Sequence, residues 1–206
     1  MLRLTGTERA VAEIVAVAEH VASLTAASAA FHLAPDVAIP GPVTGDSLVA
    51  PVDAQNSGDA ARTLREIREW SEHTLGVTHV PVIWRVLAHQ PRLLETTWRK
   101  DRMVLRGGAV DELVKSCVAL AVAQFRQSPY WISYFTHVLR TTQHLDDRAL
   151  VDLAGSVMHY VSFNTIAHGM RLHPPVADIA AADVAPGGPL EYVVPGVRRK
   201  SMSGDL

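Results

Sequence analysis

One thiol and ten imidazoles bound the chemistry open to this 206-residue chain. Cys117 is the only cysteine. It falls midway along a segment of helical periodicity, away from the helix N-terminus that would lower a thiol pKa. Two readings stay open for it: a small buried hydrophobe, or a nucleophile. Ser116 beside it has no Ser-His-Asp arrangement to activate it and is expected to bond back to its own helix. The histidines lack metal-ligand spacing. There is no His-Glu-x-x-His, and His144, seven residues after His137, sits at a helix end. His159 and His168 are nine apart, about half a turn out of phase on one helix. No metal and no other cofactor is expected.

The densest mixture of shape and chemistry is Ser128, Tyr130, Trp131, Tyr134, Phe135 and His137. Bulky aromatic surface with a few hydroxyl and imidazole groups suits a pocket wall, with His137 as the acid/base candidate. Filled core is the equal alternative for Trp131 and Phe135. Asn164 and His168, four apart, share a helical face and are candidates to add polar groups to the same cavity. Arg126 and Arg140 suit an anionic ligand or plain solvation. Trp84, Arg85, His89 and Trp98 read as core and rim.

These residues need helices to position them. Leu113, Cys117, Leu120, Ala121 and Gln124 recur at spacings of three and four, which predicts one face of a helix. Arg126-Gln127-Ser128-Pro129 then breaks it, with Ser128 as N-cap and Pro129 as first residue of the next helix. Upstream, Thr7 to His32 predicts a long helix with an apolar stripe of Val11, Ile14, Val15, Ala18, Val21 and Leu24, suited to packing or subunit contact. Residues 34–59 form an irregular connection crossing a surface or covering a pocket. Helices follow from Asp59 to Gly76, Val80 to His89 and Pro91 to Gly107-Gly108, and a last long one from about Arg148 to Leu172, capped by Asp146 and Asp147. Glu191 to Val194 is a short extended candidate, and the chain ends in a small basic cluster. The organisation expected is 1–58 (first helix and connection), 59–175 (helical core) and 176–206 (tail).

The formal charge of −2 and a pI near 6.5 give no reason to expect nucleic acid or an anionic membrane as partner. A single cysteine excludes an internal disulfide framework and fits a reducing, cytoplasmic setting. Glu13, Glu19 and His20 interrupt the apolar run from Ala10 to Ala34, an unusual profile for a signal peptide or a membrane span.

Three pieces of sequence together resemble the alkylhydroperoxidase D-like (AhpD-like) proteins of the carboxymuconolactone decarboxylase superfamily. They are VPVIWRVLAHQPRLLETTWRKDRMVLR (Val80 to Arg106), the helix VALAVAQ with its polar junction and aromatic restart, and Asp146 to Pro175, ending in FNTIAHGMRLHPP. They cover roughly two-fifths of the chain. The resemblance implies an all-α AhpD-like/carboxymuconolactone-decarboxylase-like helical domain with an extra N-terminal helix. It also implies a homo-oligomer: dimer, trimer or hexamer. Redox-active members carry Glu-x11-Cys-x-x-Cys-x-x-x-His, in which a thiol pair attacks peroxide and the His and Glu relay the proton. Here the corresponding positions hold Ser116, Ser128, Trp131 and Phe135, so the thiol peroxidase chemistry is expected to be lost. Three functions remain: binding of a small apolar or aromatic molecule, with cofactor-free acid/base catalysis through His137; residual one-Cys hydroperoxidase action through Cys117; and a non-catalytic oligomeric interaction role.

Overall fold

A computed structural model describes residues 6–37, 47–53 and 58–171. Among them every regular element is helical: α1 (Gly6–Ala30), α2 (Ala61–Trp70), α3 (Val82–Leu87), α4 (Pro91–Leu105), α5 (Glu112–Phe125), α6 (Pro129–Thr141) and α7 (Asp147–Gly169). The expected 176–206 tail, with Glu191 to Val194 and the basic cluster, lies outside the described residues. The chain divides into two compact units, Met1–His159 and Tyr160–Leu206, the boundary falling within α7. In the second unit, the described helical stretch exposes Tyr160, Phe163, Asn164, Ile166 and His168.

Local sequence accounts for most boundaries in the first unit. A 3-10 turn, Gly58–Ala60, leads into α2. Beyond Trp70 the helix continues as a π-helical turn, Ser71–Leu75, and Gly76 ends it in the left-handed region at φ 67°, where a side chain would cost energy. Pro91 opens α4, where its missing N–H is no loss. Asp111 caps α5 by accepting from the Leu113 N–H at 2.7 Å, and Asp146 does the same for α7 through Ala149 N–H at 2.8 Å.

Two apolar stripes turn differently from the periodicity. On α1, Val11 and Val15 are exposed, and the buried line is Val17, His20, Val21, Leu24, Thr25 and Ser28. On α5 the buried line is Lys115, Ala119, Leu120 and Ala123, whereas Cys117 is only half-buried. The cause is tertiary. The small Ala119 and Ala123 let α5 approach its neighbours α1 and α6 closely, and Lys115 is drawn inward by an anion supplied by α1. Val114 and Phe125 of α5 are left facing outward.

Trp98 anchors the centre of the unit, packed edge-on against Trp84 at 5.4 Å and Trp70 at 5.5 Å between ring centroids. The described part of the irregular connection clasps α3. Arg85 Nε donates to the Val52 carbonyl at 3.0 Å, and Asp36 accepts from the Val82 N–H at 2.5 Å. α1 is long and apolar enough to cross a membrane by length and composition. Its three polar interruptions nevertheless have protein partners: Glu13 on the α4–α5 loop, Glu19 on Lys100 and His20 on Asp101.

Candidate functional site

The α5–α6 junction is closed by backbone hydrogen bonds. Ser128 N–H donates to the Ala123 carbonyl at 3.0 Å and Gln127 N–H to the Gln124 carbonyl at 2.9 Å. This pair is the Schellman pattern that ends a helix, with Gln127 at the left-handed position usually taken by glycine, φ 52°. Ser128 stands at the N-cap of α6, yet its hydroxyl makes no cap bond. It lies instead 3.4 Å from the Ser28 hydroxyl of α1, both side chains being buried.

The next turns of α6 form a solid aromatic block. Trp131 is 1% exposed and Phe135 2%. Their rings stack at 5.6 Å, and Tyr130 and Tyr134 meet the Trp131 ring edge-on at 5.1 and 5.0 Å. The Trp131 indole N–H donates to the Leu24 carbonyl of α1 at 2.9 Å, satisfying the one polar atom that its burial strands. Tyr130 reaches toward Asp36 and the Ile83 N–H. Burial pushes the Tyr130 and Tyr134 hydroxyls well above their usual range, so both are hydrogen-bonding groups rather than bases. A cavity of about 210 Å³ remains outside this block, bounded by Thr25, Ser28, Arg126, Gln127, Ser128 and Tyr130.

The other candidates lie elsewhere. His137 Nε2 is 2.6 Å from the Leu75 carbonyl. A carbonyl only accepts, so that nitrogen carries the proton and donates it. Cys117 faces away from the junction, in an open groove of about 620 Å³ formed with Leu113, Val118, Ala121, Leu145 and Leu153. Burial alone pushes its thiol up, the reverse of what a peroxide-reducing thiolate needs. Ser116, half-buried, is one position further back on α5, about 100° round the helix. Ser128 and Tyr130 therefore share a cavity, Trp131, Tyr134 and Phe135 share the core, and Cys117 lines a different surface. Asn164 and His168 are exposed residues of the second unit.

Two ionic clusters escaped the sequence reading. His20 and Asp101, each nearly fully buried, meet at 3.2 Å. Arg106 lies 3.7 Å from the same carboxylate, with its guanidinium over the Trp70 ring at 4.2 Å and the Trp98 ring at 5.0 Å. The first cluster's indicator in the sequence was a polar side chain within each apolar stripe, His20 between Val17 and Val21, and Asp101 between Trp98 and Val104. The second cluster joins Glu13 to Lys115 at 3.2 Å. Gly107-Gly108 hinted at it, though the pair was readable only as a helix stop. Among the described residues, no three His, Cys, Asp or Glu side chains are grouped to hold a metal ion.

No protein-family model and no curated protein matches the sequence. A solved structure, the alkylhydroperoxidase AhpD core from Rhodospirillum rubrum, matches with a TM-score of 0.55 at 23% identity. The match covers 65% of this chain and 97% of that one. At that identity the likeness is one of fold, and with the helical architecture described above it establishes that this chain has the all-α AhpD-like fold.

Proposed function

We propose that this is an AhpD-fold protein without thiol peroxidase chemistry, acting as a non-catalytic, self-associating interaction protein. The observation that carries the reading is the aromatic block at the start of α6. Trp131, at the position that the resemblance gives to the second thiol, and Phe135, at the position of the histidine, are stacked in the core. The catalytic alternatives have weak support. His137 is committed to a backbone carbonyl, and the Cys117 thiol is held in its protonated form by burial.

The working surface in this reading is the apolar groove along α5 and the start of α7, in which Val114 is 44% exposed. A second copy covering that face would remove its apolar side chains from water. The experiment is light scattering on the full chain at micromolar concentration, beside Val114→Asp. The expected result is a homo-oligomer that the variant dissociates while its circular dichroism stays helical. A wild-type monomer would contradict the reading.

A second reading, binding of a small apolar or aromatic molecule, is favoured by the composition of the same groove, in which Asp152 is the one charged residue among its lining. A ligand-binding pocket ordinarily encloses most of its ligand. Thermal stabilisation of the unaltered chain by 1-naphthol that is lost in Val114→Asp would support this alternative.

A further inference from the structure

We propose that the α4–α5 loop, together with Lys115, is a binding site for a small carboxylate with a compact apolar body, and that Glu13 occupies its anion-binding donors as a built-in competitor. The Glu13 carboxylate receives the Ala109 N–H at 2.9 Å on each oxygen, the Val110 N–H at 3.0 Å, Lys115 Nζ at 3.2 Å and Arg9 Nε at 3.1 Å. Two backbone amides and two cations thus converge on one carboxylate, the pattern of an anion-binding nest. The loop is shaped around that group. Gly108 has φ 106°, and a Cβ there would overlap the Glu13 carboxylate. Lys115 is 1% exposed and holds the Gly107 carbonyl at 2.5 Å with the same ammonium. A buried ammonium requires an anion beside it, and nothing in the arrangement requires the anion to be Glu13.

The site has both an exit for Glu13 and room for a ligand. The Glu13 side chain is 20% exposed, so a rotamer change carries its carboxylate into water. A cavity of about 380 Å³ adjoins Arg9, Glu13 and Lys115, and Ala12, Ala16, Met103 and Val104 give it an apolar wall. A monocarboxylate with a short hydrocarbon body places its head on the amides and Lys115 and its tail against that wall. Tethering gives Glu13 an effective concentration in the millimolar range or above, so the intact chain binds such a ligand weakly and loss of Glu13 exposes the site.

The test is calorimetric titration of the full-length protein and of Glu13→Ala with hexanoate, acetate, 1-hexanol and chloride at matched ionic strength. Hexanoate is expected to bind Glu13→Ala at least about tenfold more tightly than the unaltered protein. It should also bind more tightly than acetate, and neither hexanol nor chloride should bind. If Glu13→Ala does not fold, Glu13→Gln carries the comparison, because its amide oxygen still accepts from the loop while the negative charge is gone. Lys115→Met in the Glu13-less background should abolish binding, and Arg9→Ala, at an exposed side chain, should weaken it. Hexanoate binding that is equal with and without Glu13, or that chloride reproduces, would overturn the proposal. So would binding that survives both Lys115→Met and Arg9→Ala.

Discussion

α1 is held at two places, by opposite means. At the start of α6 the grip is neutral: an indole N–H on the Leu24 carbonyl, two buried hydroxyls, and stacked rings. At the start of α5 it is ionic and reaches solvent, a carboxylate held by two loop amides, Lys115 and Arg9. In the redox-active members that this chain resembles, the junction end carries the chemistry. Here the start of α6 has the packing of a core, and the strongly acidified carboxyl, Glu13, stands at the other end. A fold can therefore keep its helices while the position of its polarised groups changes.

The comparison breaks most sharply at Trp131. Truncating a buried indole leaves a cavity and removes its hydrogen bond to the Leu24 carbonyl, so Trp131→Ala should lose about 3–5 kcal/mol in urea denaturation. A loss of under about 1 kcal/mol would mean that the block is not packed as core.

At the ionic end, Lys115→Met removes a buried donor from both the Gly107 carbonyl and Glu13. The expected cost is about 1–3 kcal/mol, the range for leaving buried polar partners unsatisfied. The two ends should also differ in acid response. The loop amides, above all those of Ala109 and Val110, hold the Glu13 carboxyl down from 4.5 to about 2. A depressed acid contributes stability that is complete above the unfolded value, and that contribution is lost as pH falls from about 4.5 through about 2. Denaturation midpoints over that window should fall more steeply for the unaltered protein than for Glu13→Gln, whereas Trp131→Ala should keep the steep slope. The smallest effect is a gain. Gln127 holds a positive φ at an exposed turn, and Gln127→Gly should stabilise by about 0.5–1 kcal/mol in the same assay.

Much of the fold was legible in the sequence because its signals are local. Pro91, Pro129, Gly76 and Asp146 act within a turn of where they stand, and they mark helix ends observed. The facing of the helices was less legible. Periodicity offered a stripe through Cys117 on α5, and the line that is buried carries Lys115 instead, a choice made by Glu13 about a hundred residues away in sequence. On α1, Val11 and Val15 satisfied the helical pattern yet stayed in water, because the helices that cover α1 begin to bury it only at Val17. The candidate site divided for the same reason. Spacing within α6 shows that His137 and Phe135 point different ways, but only the packed neighbours reveal that one reaches the Leu75 carbonyl and the other the Trp131 ring.

The absence of peroxide chemistry is the central claim, and it is tested most directly by hydroperoxide consumption. The assay uses the purified full chain with a dithiol reductant, beside Cys117→Ala. No turnover above the reductant background is predicted for either protein. Turnover by the unaltered chain that disappears in Cys117→Ala would contradict the account, because the thiol in the apolar groove would then be acting as a thiolate.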